Sequence, residues 1–200
     1  YFSLFYKYPI SRKRLIKRIK KGLPIENINV SKITDMSYLF KDNDIYYNVS
    51  SWDVSNVINM RGIFLNARNV IGIENWNTSK VVNLTEAFAG DCTIKHMLRW
   101  DVSNVEEMDR TFANNKHFNG DISIWDVSNV VSMQKMFYDS VFNNDISKWN
   151  VATVTDMRQM FQESCFNQDI SKWEVSFVKN IRYMFAYSQF NQDISKWDTC

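Results

Sequence analysis

Apolar and polar positions along this chain repeat on a clock of 24 residues. Tryptophan stands at positions 52, 76, 100, 125, 149, 173 and 197, with one step of 25 between Trp100 and Trp125. Twelve residues after each of the first six comes a phenylalanine: Phe64, Phe88, Phe112, Phe137, Phe161 and Phe185. Extended backwards, the register puts Ile28 in the Trp slot and Phe40 in the Phe slot, so an atypical first period precedes Trp52. Five residues after the Trp slot lies a β-branched residue, from Ile33 and Val57 to Val178, and eight after it only apolar residues, from Met36 to Ile181. A rare residue does not hold such a register by chance, so each period is read as one structural unit stacked on the next.

In the later periods Ile122, Ile146, Ile170 and Ile194 stand three before Trp, and Val127, Val151 and Val175 stand two after it. Trp and Val, two apart, share one face of an extended chain, which predicts a short strand around Ile122 to Val127 and its equivalents. Met133, Met136 and Phe137 sit at i, i+3 and i+4, which predicts a short helix or 3-10 turn with all three inward. The expected fold class is an α/β repeat solenoid of leucine-rich-repeat-like coils. Each coil of 24 residues would hold one short parallel strand and one short helical or 3-10 turn. Coils start near 28, 52, 76, 100, 125, 149 and 173, with a partial coil from 197. Asn119, Asn143, Asn167 and Asn191 each follow a phenylalanine, predicting a stacked asparagine ladder that satisfies turn backbone groups.

Charge divides the chain in two. Residues 1–22 carry Lys7, Arg12, Lys13, Arg14, Lys17, Arg18, Lys20 and Lys21 and no acid, while the remaining 16 basic and 22 acidic side chains leave −6. Pro9, Ser11 and Gly22 bracket a predicted basic amphipathic helix, with Ser11 as its cap and Leu15, Ile16, Ile19 and Leu23 as its apolar face. Residues 1–27 are thus read as an N-terminal cap and 28–200 as the repeat domain. The other reading of the helix is contact with an anionic membrane or nucleic acid through residues 7–21, with Arg12, Arg14, Lys17 and Lys21 as candidates.

The chemistry of an enzyme is missing from this pattern. There are two histidines, His96 and His117, five glycines, no Gly-rich phosphate loop and no nucleophile beside a base, so neither catalysis nor a cofactor is expected. Cys92, Cys165 and Cys200 lack metal-ligand spacing, and the first two occupy equivalent slots three periods apart, too far for a disulfide. Asp121, Asp145, Asp169 and Asp193 lack the dense Asp/Asn/Gly loop of calcium coils, so no metal is expected. Residues flanking Trp point away from the core and form the candidate partner-binding face: Arg99, Asp101, Asp126, Lys148, Asn150, Lys172, Glu174, Lys196 and Asp198. The sequons at Asn48, Asn77 and Asn83 are short enough to arise by chance. The chain reads as a fragment of something longer, starting without Met and stopping inside a period.

With Trp-Asp-Val-Ser-Asn-Val, then Met, then Met-Phe in view, and Phe-Asn-Gln-Asp-Ile-Ser-Lys-Trp at 166–173 and 190–197, the chain resembles the BspA-like surface-protein repeats. These are a lipoprotein-associated family with units of about 25 residues. The likeness is clearest from Trp100 to Trp197 and degenerates from Ile28 to Trp100, where Thr93, His96 and Met97 replace the usual Phe, Asp and Ile. It implies a leucine-rich-like solenoid at a cell surface or outside the cell, or in a virion, with adhesion or protein binding as its role. It implies no catalytic residues. The expected partner is a protein or an assembly subunit.

Overall fold

In the computed structural model, which describes residues 8–93 and 99–198, the chain enters through one helix, α1 (Arg12–Lys20). Leu15 and Ile19, four apart, are buried on one face and Ile16 is half-buried, whereas Leu23 stays 40% exposed and lies outside that face. Gly22 stops the helix at φ +63°, a left-handed turn without steric cost for glycine, and its N–H bonds the Ile19 carbonyl at 2.9 Å. Ser11 holds the N-cap position with extended backbone, yet its hydroxyl makes no capping bond. The anticipated side-chain cap is not formed; the Ser11 carbonyl accepts the first intrahelical bond, from Leu15 N–H at 3.0 Å.

From Ile28 onward successive periods lie side by side in parallel. Bridges join one slot through the stack, from Asp35 to Asn59, Asn83, Glu107, Ser132, Asp156 and Asn180. One two-residue pair, β1 (Tyr47–Asn48) with β2 (Val70–Ile71), adds a parallel contact near the start. The main ladder surrounds the Phe slot. N–H groups of Met133, Lys135, Phe137 and Asp139 donate to the carbonyls of Asp156, Arg158, Met160 and Gln162 at 2.8–3.0 Å. The same four bonds recur at all six junctions between the period of Ile28 and that of Trp173, always with the donor on the earlier period.

Two columns of left-handed residues shape this ladder. They fall ten and fourteen residues after the Trp slot, as at Lys135 (φ +57°) and Asp139 (φ +48°), and they recur in all seven periods. The Met136 N–H closes a turn onto the Met133 carbonyl at 3.1 Å with Lys135 third, the position where a type II turn demands positive φ. The expected helical turn therefore stops after one bond. A left-handed residue breaks helix propagation and releases the next N–H groups to the neighbouring period. Met133, Met136 and Phe137 are nonetheless fully buried, as their spacing predicts.

The strand expected around Ile122 to Val127 is not formed. Trp125 N–H turns back to the Ile122 carbonyl at 3.1 Å and Val130 N–H to the Val127 carbonyl at 2.9 Å. The carboxylates of Asp121 and Asp126 accept the N–H groups of Ser123 and Ser128 at 2.9 and 3.0 Å. Ser123 and Trp125 thus spend their donors in local turns, and no bridge to a neighbouring period forms over Ile122 to Val127.

Aromatic rings fill the interior. The Phe column stacks at 5.4–5.8 Å between centroids from Phe40 to Phe185, and the Trp rings stack at 6.0–6.5 Å where adjacent pairs are in contact. The indoles of Trp52, Trp76, Trp100, Trp149, Trp173 and Trp197 also reach back one period: Trp149 Nε1–H donates to the Ile122 carbonyl at 3.1 Å, and Trp173 to Ile146 likewise. The Ile122 carbonyl thereby serves two donors, which makes Trp more than a large apolar filler. The extra residue between Trp100 and Trp125 is absorbed at buried Asn115. Its side chain donates to the Phe88 and Cys92 carbonyls and accepts from His117 and Phe118 N–H.

Candidate functional site

The motif Trp-Asp-Val-Ser-Asn-Val can be decoded one residue at a time. Trp125, Val127 and Val130 are core; Asp126 holds the Ser128 N–H; Asn129 donates from Nδ2 to the Ser103 carbonyl of the preceding period at 2.6 Å. Every conspicuous residue of the repeat is thus engaged in building it. The asparagine column behaves the same way. Asn119 Oδ1 accepts the Asn143 N–H at 2.8 Å, Asn143 Oδ1 the Asn167 N–H at 2.8 Å, and Asn167 Oδ1 the Asn191 N–H at 3.0 Å.

All nine residues of the candidate partner face are exposed: Arg99, Asp101, Asp126, Lys148, Asn150, Lys172, Glu174, Lys196 and Asp198. Their side chains are not equally available. Asp101, Asp126, Asn150 and Glu174 each turn an oxygen onto the N–H two residues later, at 3.0–3.2 Å. The Ser128 hydroxyl and N–H hold the Asp126 carboxyl below the usual aspartate range. Lys148, Lys172 and Lys196 enter no ion pair among the described residues. Their fields fall on Asp145, Asp169 and Asp193, in the turn before.

Asp145, Asp169 and Asp193 accept the N–H groups of Ser147, Ser171 and Ser195 at 2.8–2.9 Å. Those backbone bonds, more than the lysines, push their carboxyls below the ordinary value; at Asp121 the Ser123 hydroxyl contributes most. Carboxylates committed to a turn are poor starting material for a cation site, and no cluster of metal-binding side chains forms among the described residues.

The basic helix separates its own candidates. Arg12, three before Leu15 and seven before Ile19, shares the buried face: its guanidinium donates to the Ser37 carbonyl at 2.6 Å and lies 3.8 Å from Asp35. Arg14, Lys17 and Lys21 line the opposite side, a groove of about 410 Å³ with Arg18 and an apolar floor of Ile10, Leu23 and Ile28. No described helix is long and apolar enough to cross a membrane.

A polar cluster on the left-handed columns escaped the sequence reading. Arg61 donates to the Tyr38 hydroxyl at 2.8 Å, Tyr38 donates to Glu86 at 3.1 Å, and Arg110 reaches Glu86 at 3.4 Å. Glu86 and Arg110 occupy one slot in adjacent periods, so opposite charges 24 residues apart were the available signal. His117 Nε2 lies 2.6 Å from Asp91, which also pairs with Arg68. Cys92 is fully buried and Cys165 carries a free thiol. Lys7, His96, Met97, Thr199 and Cys200 lie outside the described residues.

Among known proteins, three overlapping segments, 13–89, 68–163 and 139–200, match a family described as Mycoplasma protein of unknown function, DUF285. Neither a curated protein nor a solved structure matches the chain. Overlapping matches to one family are what a repeat produces, since each window of several periods resembles the next. Together they run from 13 to 200, and the chain belongs to the DUF285 repeat family.

Proposed function

We propose that this chain is a noncatalytic scaffold for protein interaction or surface adhesion, a leucine-rich-repeat-like solenoid of the BspA-like kind. Its working surface is the face that carries Lys148, Lys172 and Lys196. The supporting observation is the imbalance on that face: the acids beside Trp bend onto their own turns, while the lysines stay exposed and outside ion pairs among the described residues. Parallel neighbours about 4.8 Å apart put three ammonium groups along one line, a charge pattern suited to an extended acidic segment of a protein partner. Affinity capture from the native source, comparing the chain with K148E/K172E/K196E, tests this. Partners lost with the triple variant support the reading; identical capture by both moves the role to structural assembly, in a virion or cell-surface layer.

The groove of Arg14, Lys17, Arg18 and Lys21 over Leu23 and Ile28 favours a second reading, attachment to an anionic membrane surface. Co-sedimentation with anionic but not neutral vesicles, abolished by R14E/K17E/K21E, is the expected result; equal binding by that variant refutes it. Arg12 does not belong to this set, because it is spent on Ser37.

A further inference from the structure

The fold sorts the sequons of this chain. Four are present: Asn29-Val-Ser, Asn48-Val-Ser, Asn77-Thr-Ser and Asn83-Leu-Thr. An asparagine that carries a glycan in a folded protein needs its amide nitrogen in solvent, with room for a sugar beside it. Asn48 is half-buried in β1, and its Oδ1 rests so close to Gly72 of the next period that a Cβ added there would lie 2.7 Å away. Asn83 is half-buried on the bridge ladder, and its Nδ2 donates to the Glu107 carboxylate at 2.5 Å. Asn29 is half-buried too, in the wall of a recess of about 280 Å³ shared with Ser51 and Asp53. Asn77 alone of the four is exposed, and its Nδ2 donates to nothing among the described residues.

The repeat itself builds this geometry. In the slot after Trp, from Asn29 through Asp53, Asn77, Asp101, Asp126 and Asn150 to Glu174, the side-chain oxygen accepts the N–H two residues later at 3.0–3.2 Å. At Asn77 the Ser79 hydroxyl donates to the same oxygen at 2.7 Å. The carboxamide and the hydroxyl that a sequon requires are therefore already in contact. Oδ1 is held in the turn, and Nδ2 on the other side of the carboxamide is left to solvent. Thr78 between them is buried and bonded to the Asp101 carbonyl at 2.9 Å, which fixes the turn on the stack. Elsewhere the slot lacks one of the two groups: Asp53, Asp101 and Asp126 have no amide, and Asn150 is followed by Ala152, which has no hydroxyl.

We propose that Asn77 is the acceptor of an N-linked glycan, taken from a lipid-pyrophosphate-linked oligosaccharide. In the transfer Nδ2 attacks the anomeric carbon of the sugar, and an N–C bond forms as the C–O bond to pyrophosphate breaks. The lipid pyrophosphate leaves, and one Nδ2 proton passes to a base of the transferase. The product keeps Oδ1, so both bonds from Ser79 survive the modification. Asn77 lies three periods before Asn150, about 14 Å along the stack at strand spacing, so the glycan covers the first half of the face beside Trp and leaves Lys148, Lys172 and Lys196 bare.

Occupancy of each sequon tests this, on the chain from its native source and on the chain secreted by a host that attaches N-glycans. Enzymatic release of glycans in heavy-oxygen water converts each occupied Asn to a labelled Asp that mass spectrometry locates. Asn77 is expected to be occupied at least several-fold more than Asn29, Asn48 or Asn83. N77Q should remove the glycan and keep the fold, since a longer side chain already serves the turn at Glu174. A152S adds the missing hydroxyl to the turn of Asn150 and should gain a second glycan there. A native chain bare at Asn77 overturns the proposal. Equal occupancy of Asn48 or Asn83, or a folded, secreted A152S bare at Asn150, would do the same, because the fold would then not select the acceptor. Occupancy is read without any partner, so the result stands apart from what the lysine column binds.

Discussion

Phe137 tests whether the stack is held by its aromatic column. The ring is fully buried and touches four others: Phe112 and Phe161 at 5.6 Å in the periods before and after, Phe142 at 4.3 Å and Trp149 at 6.4 Å. Truncation to Ala removes the transfer free energy of the ring and leaves a cavity that rigid neighbours on both sides cannot close, so Phe137→Ala should cost about 3–5 kcal/mol. Phe185 has the same slot, but among the described residues its one neighbour in the Phe column is Phe161 at 5.8 Å, and it is partly exposed. Phe185→Ala should therefore cost about half as much, near 2 kcal/mol. Urea unfolding followed by tryptophan fluorescence measures both. Hydrogen exchange should show faster opening in the periods of Phe112 and Phe161 when Phe137 is cut, since each unit leans on its neighbours. A Phe137→Ala loss below about 1 kcal/mol, or equal losses at the two sites, would refute the additive-stack argument.

Other outcomes follow from the same geometry. Asn143→Leu removes the acceptor of Asn167 N–H and of Gln168 Nε2 and should cost about 1–3 kcal/mol by urea unfolding, while Asn143→Asp, which keeps an acceptor, should cost less. The carboxyls of Asp53, Asp121, Asp126, Asp145, Asp169 and Asp193 are all held low in the folded chain by hydrogen bonds. The unfolded chain then binds more protons near pH 4, so the stability they add is complete at neutral pH and lost as pH falls from about 5 toward 2. Asp-to-Asn changes at these sites should flatten that dependence, and a urea midpoint constant over this range would contradict it. Gly62 sits at φ +57° with the Tyr38 ring over it, where an added Cβ would lie 2.3 Å from the ring. Gly62→Ala should destabilise by about 1–3 kcal/mol in thermal unfolding, with Tyr38→Ala recovering the steric part but not the backbone part.

Much of this architecture was legible because core residues obey a strict clock. The Trp, Phe and Met columns, the inward face of Met133, Met136 and Phe137, the asparagine ladder and the insertion after Phe112 are all set by side chains whose types repeat. The strand at Ile122 to Val127 was misplaced because apolar spacing says which residues face inward, not where backbone donors go. Asp121 takes the Ser123 N–H and the Trp125 N–H turns back to Ile122, so turns form there instead. The left-handed columns were hidden for a related reason. One of them contains Tyr38, Arg110, Lys135 and Gln159, residues that rarely adopt positive φ, and only Gly62 in that column and the Asx and Gly residues of the other, such as Asn66, Gly90 and Asp139, carried a hint. Arg12 could have been separated from Arg14, Lys17 and Lys21 by its i, i+3, i+7 relation to Leu15 and Ile19.

The ladder around the Phe slot is made by main-chain groups alone, identical from one junction to the next. Recombination can therefore duplicate or excise a unit of 24 codons without disturbing either border, because any unit fits the one before it. Length becomes a heritable quantity that changes in whole steps, and the outward side chains of each copy are left to drift independently.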